Sequence, residues 1–229
     1  MKFSHILWDF NGTILDDVGI GIEAINGLLR SRNLPPLEDR EEYRRHFRFP
    51  VEKYYRSVGF DFEKDPYDVL AREWVDRYRA LEPTACLRVG AKEALAYIRK
   101  QNIPQILFSA TQRRMLLQQV NRLGLDGCFD EILGTDNIYA EGKISLGQAW
   151  VDAVRPACAL LIGDTEHDGV AAHRMGVECV LIAGGHQSAK ALESTGFPVL
   201  NDLLDLPWFL ENSEKNSVEK EGCSREIII

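Results

Sequence analysis

The chain has 229 residues, 45% of them hydrophobic and 27% charged, with 27 Lys plus Arg against 35 Asp plus Glu for a net charge of −8. That balance belongs to a folded domain with room for one smaller insertion, and it excludes disorder, collagen-like repeats and a disulfide-stapled mini-scaffold. An acidic chain with a sequence pI near 5.2 argues against nucleic acid or an anionic membrane as partner, while leaving room for an enzyme that handles anions in one metal-neutralised pocket.

The first strand is expected at Ile6 to Phe10, ending in the turn residues Asn11 and Gly12. Between residues 17 and 82 the pattern is helical throughout. Ile22, Ile25, Leu28 and Leu29 mark one apolar stripe, and Val69, Trp74, Val75 and Tyr78 mark another. Beyond residue 83 the chain alternates between two periods. Helices are expected at Ala91 to Arg99, Met115 to Leu123, Leu146 to Val154 and Val170 to Met175, and strands at Ile103 to Phe108, Glu131 to Leu133, Ala159 to Ile162 and Cys179 to Ile182. Short continuous apolar runs between helices are the signature of parallel strands covered on both faces. The expected fold is therefore α/β, a doubly wound, Rossmann-like parallel sheet over 1–16 and 83–210. A helical domain is inserted over 17–82, and a polar C-terminal tail spans 211–229.

No apolar run approaches the roughly 20 residues that cross a bilayer, and the N-terminus lacks the features of a signal peptide. Five scattered cysteines, Cys86, Cys128, Cys158, Cys179 and Cys223, read as reduced thiols. A cytoplasmic monomer or homodimer, with neither nucleic acid nor membrane as partner, is the expectation.

In an open parallel sheet, ligands bind outside the carboxyl ends of the strands. The residues at those ends are Asp9 after the first strand, Ser109 after the second, Lys143 in the loop that follows the third, and Asp164 with Asp168 after the fourth. A carboxylate can attack phosphorus, and several carboxylates can hold Mg²⁺ through hard oxygen ligands. A lysine, a hydroxyl and nearby backbone N–H groups can hold phosphoryl oxygens. Gly12 and Gly163 permit close backbone approach.

The ordered set resembles the haloacid dehalogenase superfamily of aspartyl-phosphate phosphatases. Its first motif matches Asp9-Phe10-Asn11-Gly12-Thr13 with one substitution, its second Ser109, its third Lys143 and its fourth Gly163-Asp164 with Asp168. The helical insertion resembles the cap of the phosphoglycolate phosphatase-like branch. The resemblance implies a Mg²⁺-dependent phosphatase of small phosphorylated metabolites. Asp9 would be nucleophile and metal ligand, and Asn11 would offer its backbone carbonyl to the metal. Asp164 would bind the metal directly and Asp168 through water. Ser109, the N–H of Ala110, Gly12 and Lys143 would hold the phosphoryl group.

Asn11 departs from the family pattern, in which a second aspartate there acts as general acid and base. An amide titrates in neither direction, and such catalysis contributes about 10²–10⁴-fold, so a slow enzyme is expected. His167 and His46 are the titratable candidates to stand in. A phosphotransferase or mutase, or a phosphate sensor without turnover, are the alternatives. A basic cluster in the insertion (Arg44, Arg45, His46, Arg48, Lys53, Arg56) either grips an anionic substrate, Arg48 and Arg45 foremost, or forms a solvated face paired with Glu41, Glu42 and Glu52. Trp74, Tyr78 and Trp150 are expected to pack cores, and Asp16 or Asp17 to cap the next helix.

Overall fold

The computed structural model describes residues 2–136 and 142–213. The chain opens with β1 (His5–Trp8) and a two-residue strand β2 (Leu15–Asp16). Helices α1 (Val18–Ser31), α2 (Arg40–His46), α3 (Val51–Ser57) and α4 (Tyr67–Leu81) follow, and β3 (Cys86–Leu87) returns antiparallel to β2. Strand and helix then alternate through α5 (Ala91–Lys100), β4 (Gln105–Gln112), α6 (Arg113–Arg122), β5 (Glu131–Thr135), α7 (Lys143–Val154) and β6 (Ala159–Gly163). After these come α8 (Glu166–Met175), β7 (Glu178–Ile182), α9 (Ala189–Glu193), β8 (Val199–Leu200) and a last helix, α10, over 206–213.

The described strands form a parallel six-stranded sheet in the order β5-β4-β1-β6-β7-β8. Its central strands are apolar on both faces because both faces are covered. Ile6 and Trp8 enter one hydrophobic cluster while Leu7 between them enters another, and Leu160 and Ile162 divide from Leu161 in the same way. The two-residue period of a strand sends neighbours to opposite layers. The indole of Trp8 is satisfied within this core: its Nε1 donates to Oε1 of the buried Gln105 at 3.0 Å.

Helices α1 to α4 build a third cluster from Ile25, Leu28, Leu29, Tyr54, Tyr55 and Leu70. Val69, predicted on the apolar stripe of α4, stands 45% exposed, and Leu70 takes the core position instead. The β2–β3 pair, Leu15 opposite Leu87 and Asp16 opposite Cys86, ties together the two ends of the helical segment. Two-residue strands carry no readable period, so this neck is invisible in the sequence. Trp150 is buried in the second cluster, as expected.

Several boundaries differ, among them the end of β4 at Gln112 and the start of α8 at Glu166. The α10 helix runs to residue 213, past the predicted tail boundary at 211, and the remainder of that tail, with Cys223, lies outside the described residues. Lys143, expected in a loop, is the first residue of α7. Cys86, Cys128, Cys158 and Cys179 are all free thiols. Among the described residues no helix is long and apolar enough to cross a membrane.

Candidate active site

The sheet order gathers the predicted residues. Trp8 of β1 pairs with Leu107 of β4 on one side and with Ile162 of β6 on the other. The carboxyl ends of these adjoining strands therefore deliver Asp9, Ser109 and Asp164 to one place. Asp9 continues the alignment, its N–H donating to the carbonyl of Ile162 at 2.8 Å. Ser109 lies inside β4, where the pairing with β5 shifts register between Phe108 and Gln112, and its Oγ accepts from the N–H of Thr111. Lys143 enters from the start of α7, with Nζ 2.5 Å from Asp9 Oδ1 and 2.7 Å from Asp168 Oδ1, over the ring of Phe108.

These groups are buried: Lys143 is 3% exposed and Asp168 2%. Burial alone would strip Lys143 of its proton, but Asp168 and Asp9 outweigh it and hold the ammonium's pKa above its ordinary value. One ammonium cannot compensate three carboxylates. Burial pushes Asp9 up to about 8, with Asp168 and Asp164 adding repulsion against the pull of Lys143. Burial likewise moves Asp164 to about 6 despite the attraction of His186. In Asp168 burial is overcome by Lys143, and its pKa falls.

Asp168 has a second task. It occupies the third position of α8, whose N-cap is Thr165, and its Oδ2 accepts from Thr165 N at 3.1 Å and Thr165 Oγ1 at 2.7 Å, closing a capping box. Asp164 is held by Thr13 Oγ1 at 3.1 Å and by the backbone N–H of His186 at 2.6 Å. Gly12 has φ of +73°, and a Cβ there would collide with the Asp164 carboxylate and the His186 ring. Only glycine fits this turn.

Asn11 is committed on every side. Its Nδ2 donates to Asp17 Oδ2 at 2.8 Å and to the hydroxyl of Tyr78 at 2.9 Å, and its Oδ1 accepts from Thr111 Oγ1 at 2.7 Å. Asp17 stands at the N-cap position of α1 without capping it. Its carboxylate accepts instead from Gly12 N, Asn11, Tyr78 and His186, joining the turn after β1 to α4 and to the loop after β7. Burial works against charge in both Asp17 and His186, but their attraction prevails: Asp17 is held below its ordinary range and His186 rises to about 9. Charged His186 donates from Nε2 to Asp17 at 3.2 Å and from Nδ1 to the hydroxyl oxygen of Tyr43 at 2.7 Å. An aspartate at position 11 would set a second, half-buried carboxylate against the buried Asp17.

A cavity of about 220 Å³ opens onto Asp9, Asn11, Ser109, Ala110, Lys143, Asp164 and Asp168. The helical segment lines its other wall with Phe47, Phe49, Tyr54, Tyr55, Trp74 and Tyr78. Tyr78 is buried and Trp74 packs against the third cluster, as expected, and both also line the cavity, stacked with ring centroids 5.0 Å apart. Arg45 and Arg48, the expected substrate contacts, do not line it. Arg48 is exposed and folds back onto the carbonyls of His46 and Arg45, because Phe47 and Phe49 on either side of it take the inward positions. Arg44 spans to the carbonyls of Gly184 and Gly185 and pairs with Glu41. His167 does line the cavity, stacked on Phe49 at 4.5 Å, with burial and then Lys143 lowering its pKa. His46 is engaged with Ser57 instead.

A profile of haloacid dehalogenase-like hydrolases matches residues 6–182. The chain belongs to the haloacid dehalogenase-like hydrolase family. Its curated relatives include a phosphoglycolate phosphatase from Chromobacterium violaceum, 25% identical over 204 residues that span 84% of this chain and 91% of that protein. Another, from Caulobacter vibrioides, is 22% identical over 88% of each. Among solved structures, a haloacid dehalogenase-like family hydrolase from Streptococcus pneumoniae superposes with a TM-score of 0.77 at 19% identity, covering 91% of this chain and 98% of that one. CbbY from Rhodobacter sphaeroides, in complex with phosphate, superposes at 0.65 with 20% identity over 89% and 96%.

Asp17, Tyr78 and His186 are the site residues that sequence reasoning missed in this haloacid dehalogenase-like chain. Asp17 had a signal, an acidic residue close behind the first motif, but capping explained it equally well. His186, 169 residues from Asp17, had none.

Proposed function

We propose that this chain is a phosphatase of small phosphorylated metabolites that works through an aspartyl phosphate on Asp9, with the whole set of sequence-identified residues in their family roles. The observation that carries the reading is the convergence of Asp9, Lys143, Asp164 and Asp168 at adjoining strand ends inside a cavity. The curated relatives named phosphoglycolate phosphatases support the same reaction class.

The residues present suit a divalent cation. Asp9, Asp164 and Asp168 each bring a carboxylate oxygen within 4.8 Å of the others, all buried, and their negative charge exceeds what Lys143 supplies. Hard oxygen donors of this kind fit Mg²⁺. Asp9, Asp164 and the backbone carbonyl of Asn11 would hold it directly. Asp168, both of whose oxygens are engaged by Lys143 and the capping box, would act through water. When bound, the ion would screen the carboxylates from the phosphoryl oxygens.

In the reaction an Asp9 oxygen attacks phosphorus while the bond from phosphorus to the ester oxygen breaks, and that oxygen leaves with the electron pair. Lys143, Ser109 and the N–H of Ala110 hold the phosphoryl oxygens. Asn11 has no proton to give, its amide hydrogens being engaged by Asp17 and Tyr78, so the departing alkoxide or phenoxide is protonated from solvent. A water then attacks phosphorus, the bond to Asp9 breaks, and its carboxylate is restored as phosphate carries off the water's proton. Positioning and charge stabilisation account for most phosphoryl-transfer catalysis, and the convergence of Lys143, Ser109 and the carboxylates supports that reading. The fully bonded amide of Asn11 favours a second reading, a phosphate-binding protein without turnover. Phosphate release from an acyl phosphate and an aryl phosphate, with Asp9→Ala as blank, separates the two. Release that disappears in the blank and with a chelator supports the phosphatase, whereas Mg²⁺-dependent binding without release supports the sensor.

A further inference from the structure

The cavity is walled by two chemically opposite sets. One is the carboxylate and lysine group at the strand ends; the other is the ring set from α2 to α4 and the segment between them, chiefly Phe47, Phe49, Tyr54, Tyr55, Trp74 and Tyr78. These rings pack in two groups, Trp74 on Tyr78 at 5.0 Å, and Phe49, Phe47, Tyr54 and Tyr55 linked in turn at 5.6, 5.4 and 5.7 Å. Of the cations that line the cavity, Lys143 and His186 are already paired with carboxylates, whereas Arg79 meets a neutral amide. Lys143 is held by Asp9 and Asp168, His186 by Asp17 and Tyr43, and the exposed Arg79 donates to Gln112. The arginines of the basic cluster lie outside the lining. A leaving group carrying a carboxylate or a second phosphate would be desolvated against the rings, and the lining cation that no carboxylate pairs, Arg79, is exposed to solvent, where an ion pair gains little.

Given the phosphatase reading above, on which this rests, we infer that the cavity selects phosphate monoesters of a flat aromatic alcohol. Three observations support that class. The size is suitable, since an apolar cavity of about 150 Å³ already holds a benzene ring and this one measures about 220 Å³ including the phosphoryl end. The ring of Tyr54, packed against Phe47 at 5.4 Å, lines the cavity and adds to the apolar face that a planar ligand would meet. Asn11 cannot protonate a leaving group, and a phenol, with a pKa of about 10, leaves as its anion far more readily than an alkyl alcohol. Bond changes are those already given: the phosphorus–oxygen bond to the phenol breaks, the phenoxide takes its proton from solvent, and water completes the hydrolysis.

The test measures binding and turnover separately on the whole chain with Mg²⁺. Phenylphosphonate, methylphosphonate and phosphonoacetate are titrated by calorimetry as non-hydrolysable ligands, and phosphate release is followed from phenyl phosphate, acetyl phosphate and phosphoglycolate against the Asp9→Ala blank. Phenylphosphonate is expected to bind about tenfold or more tightly than the other two. Trp74→Leu, which keeps an apolar residue in place, is expected to reduce that preference about threefold to tenfold while methylphosphonate binding stays unchanged. Asp9-dependent release together with phosphonoacetate binding at least as tightly as phenylphosphonate overturns the aromatic selection and leaves the phosphatase reading standing. Preferential phenylphosphonate binding without release from any ester keeps the selection and ends the phosphatase reading. Absence of both binding and release overturns both.

Discussion

The strand-end wall of the cavity and the helical wall obey different rules. At the strand ends the polar side chains are placed by the buried parallel strands or by the first turns of the helices α7 and α8, and each carboxylate is held by at least one other group: Asp9 by Lys143, Asp164 by Thr13 and His186, Asp168 by Lys143 and Thr165. On the helical wall the contacts are rings against rings, which tolerate different ring substituents while excluding charge. The first wall is suited to one reaction and the second to a choice among substrates. Asp17 serves both, bonding the turn at Gly12 and Tyr78 of α4 at once, and Asn11 joins Tyr78 to Thr111 beside it.

Substitutions should separate the walls in order of their effect. Asp9→Ala removes the attacking group, and phosphate release is expected to fall to the level without enzyme while circular dichroism stays native. Lys143→Met leaves Asp9 and Asp168 buried without their cation. A destabilisation of about 3–5 kcal/mol is expected in denaturant unfolding without metal, and a loss below 1 kcal/mol would mean the carboxylates do not depend on the ammonium. Mg²⁺ at a hundred times its dissociation constant should stabilise the fold by about 2.7 kcal/mol. The same titration on Asp164→Ala should show a much smaller shift.

Smaller effects probe the seam and the outer face. Asn11→Asp restores the family residue but sets it 2.8 Å from the Asp17 carboxylate. A cost of about 1–3 kcal/mol at neutral pH is expected, and it should shrink in an Asp17→Asn background if the repulsion is the cause. An equal cost in both backgrounds would locate the damage elsewhere in the Asn11 network. Arg48→Ala should be nearly silent, within about 0.5 kcal/mol in stability and unchanged in KM. A raised KM would bring the basic cluster back into substrate binding.

The strands and the order of the motifs were legible because both are local signals. Leu160, Leu161 and Ile162 are continuously apolar since both sheet faces are covered, and the residue after such a run emerges at the carboxyl end. The helical wall was legible only as helices. A stripe with Val69, Trp74, Val75 and Tyr78 shows that α4 has an apolar face, but not that Leu70 fills the core while Trp74 and Tyr78 face the cavity. A cluster of arginines likewise reads the same whether it grips a ligand or, as Arg44 does, spans to backbone carbonyls 140 residues away.

By itself, then, the chain's order of residues determined the α/β architecture and the identity of the groups that meet at the strand ends, because strand period and position are properties of short segments. Only the tertiary structure decided what surrounds those groups: that the Asn11 amide faces Asp17, that His186 holds Asp17 from 169 residues away, and that rings line the cavity where the arginines of α2 were expected. Those outcomes depend on which distant side chains compete for one buried space, and burial, which favours rings and paired charges over free ones, settles that competition only once the chain has folded.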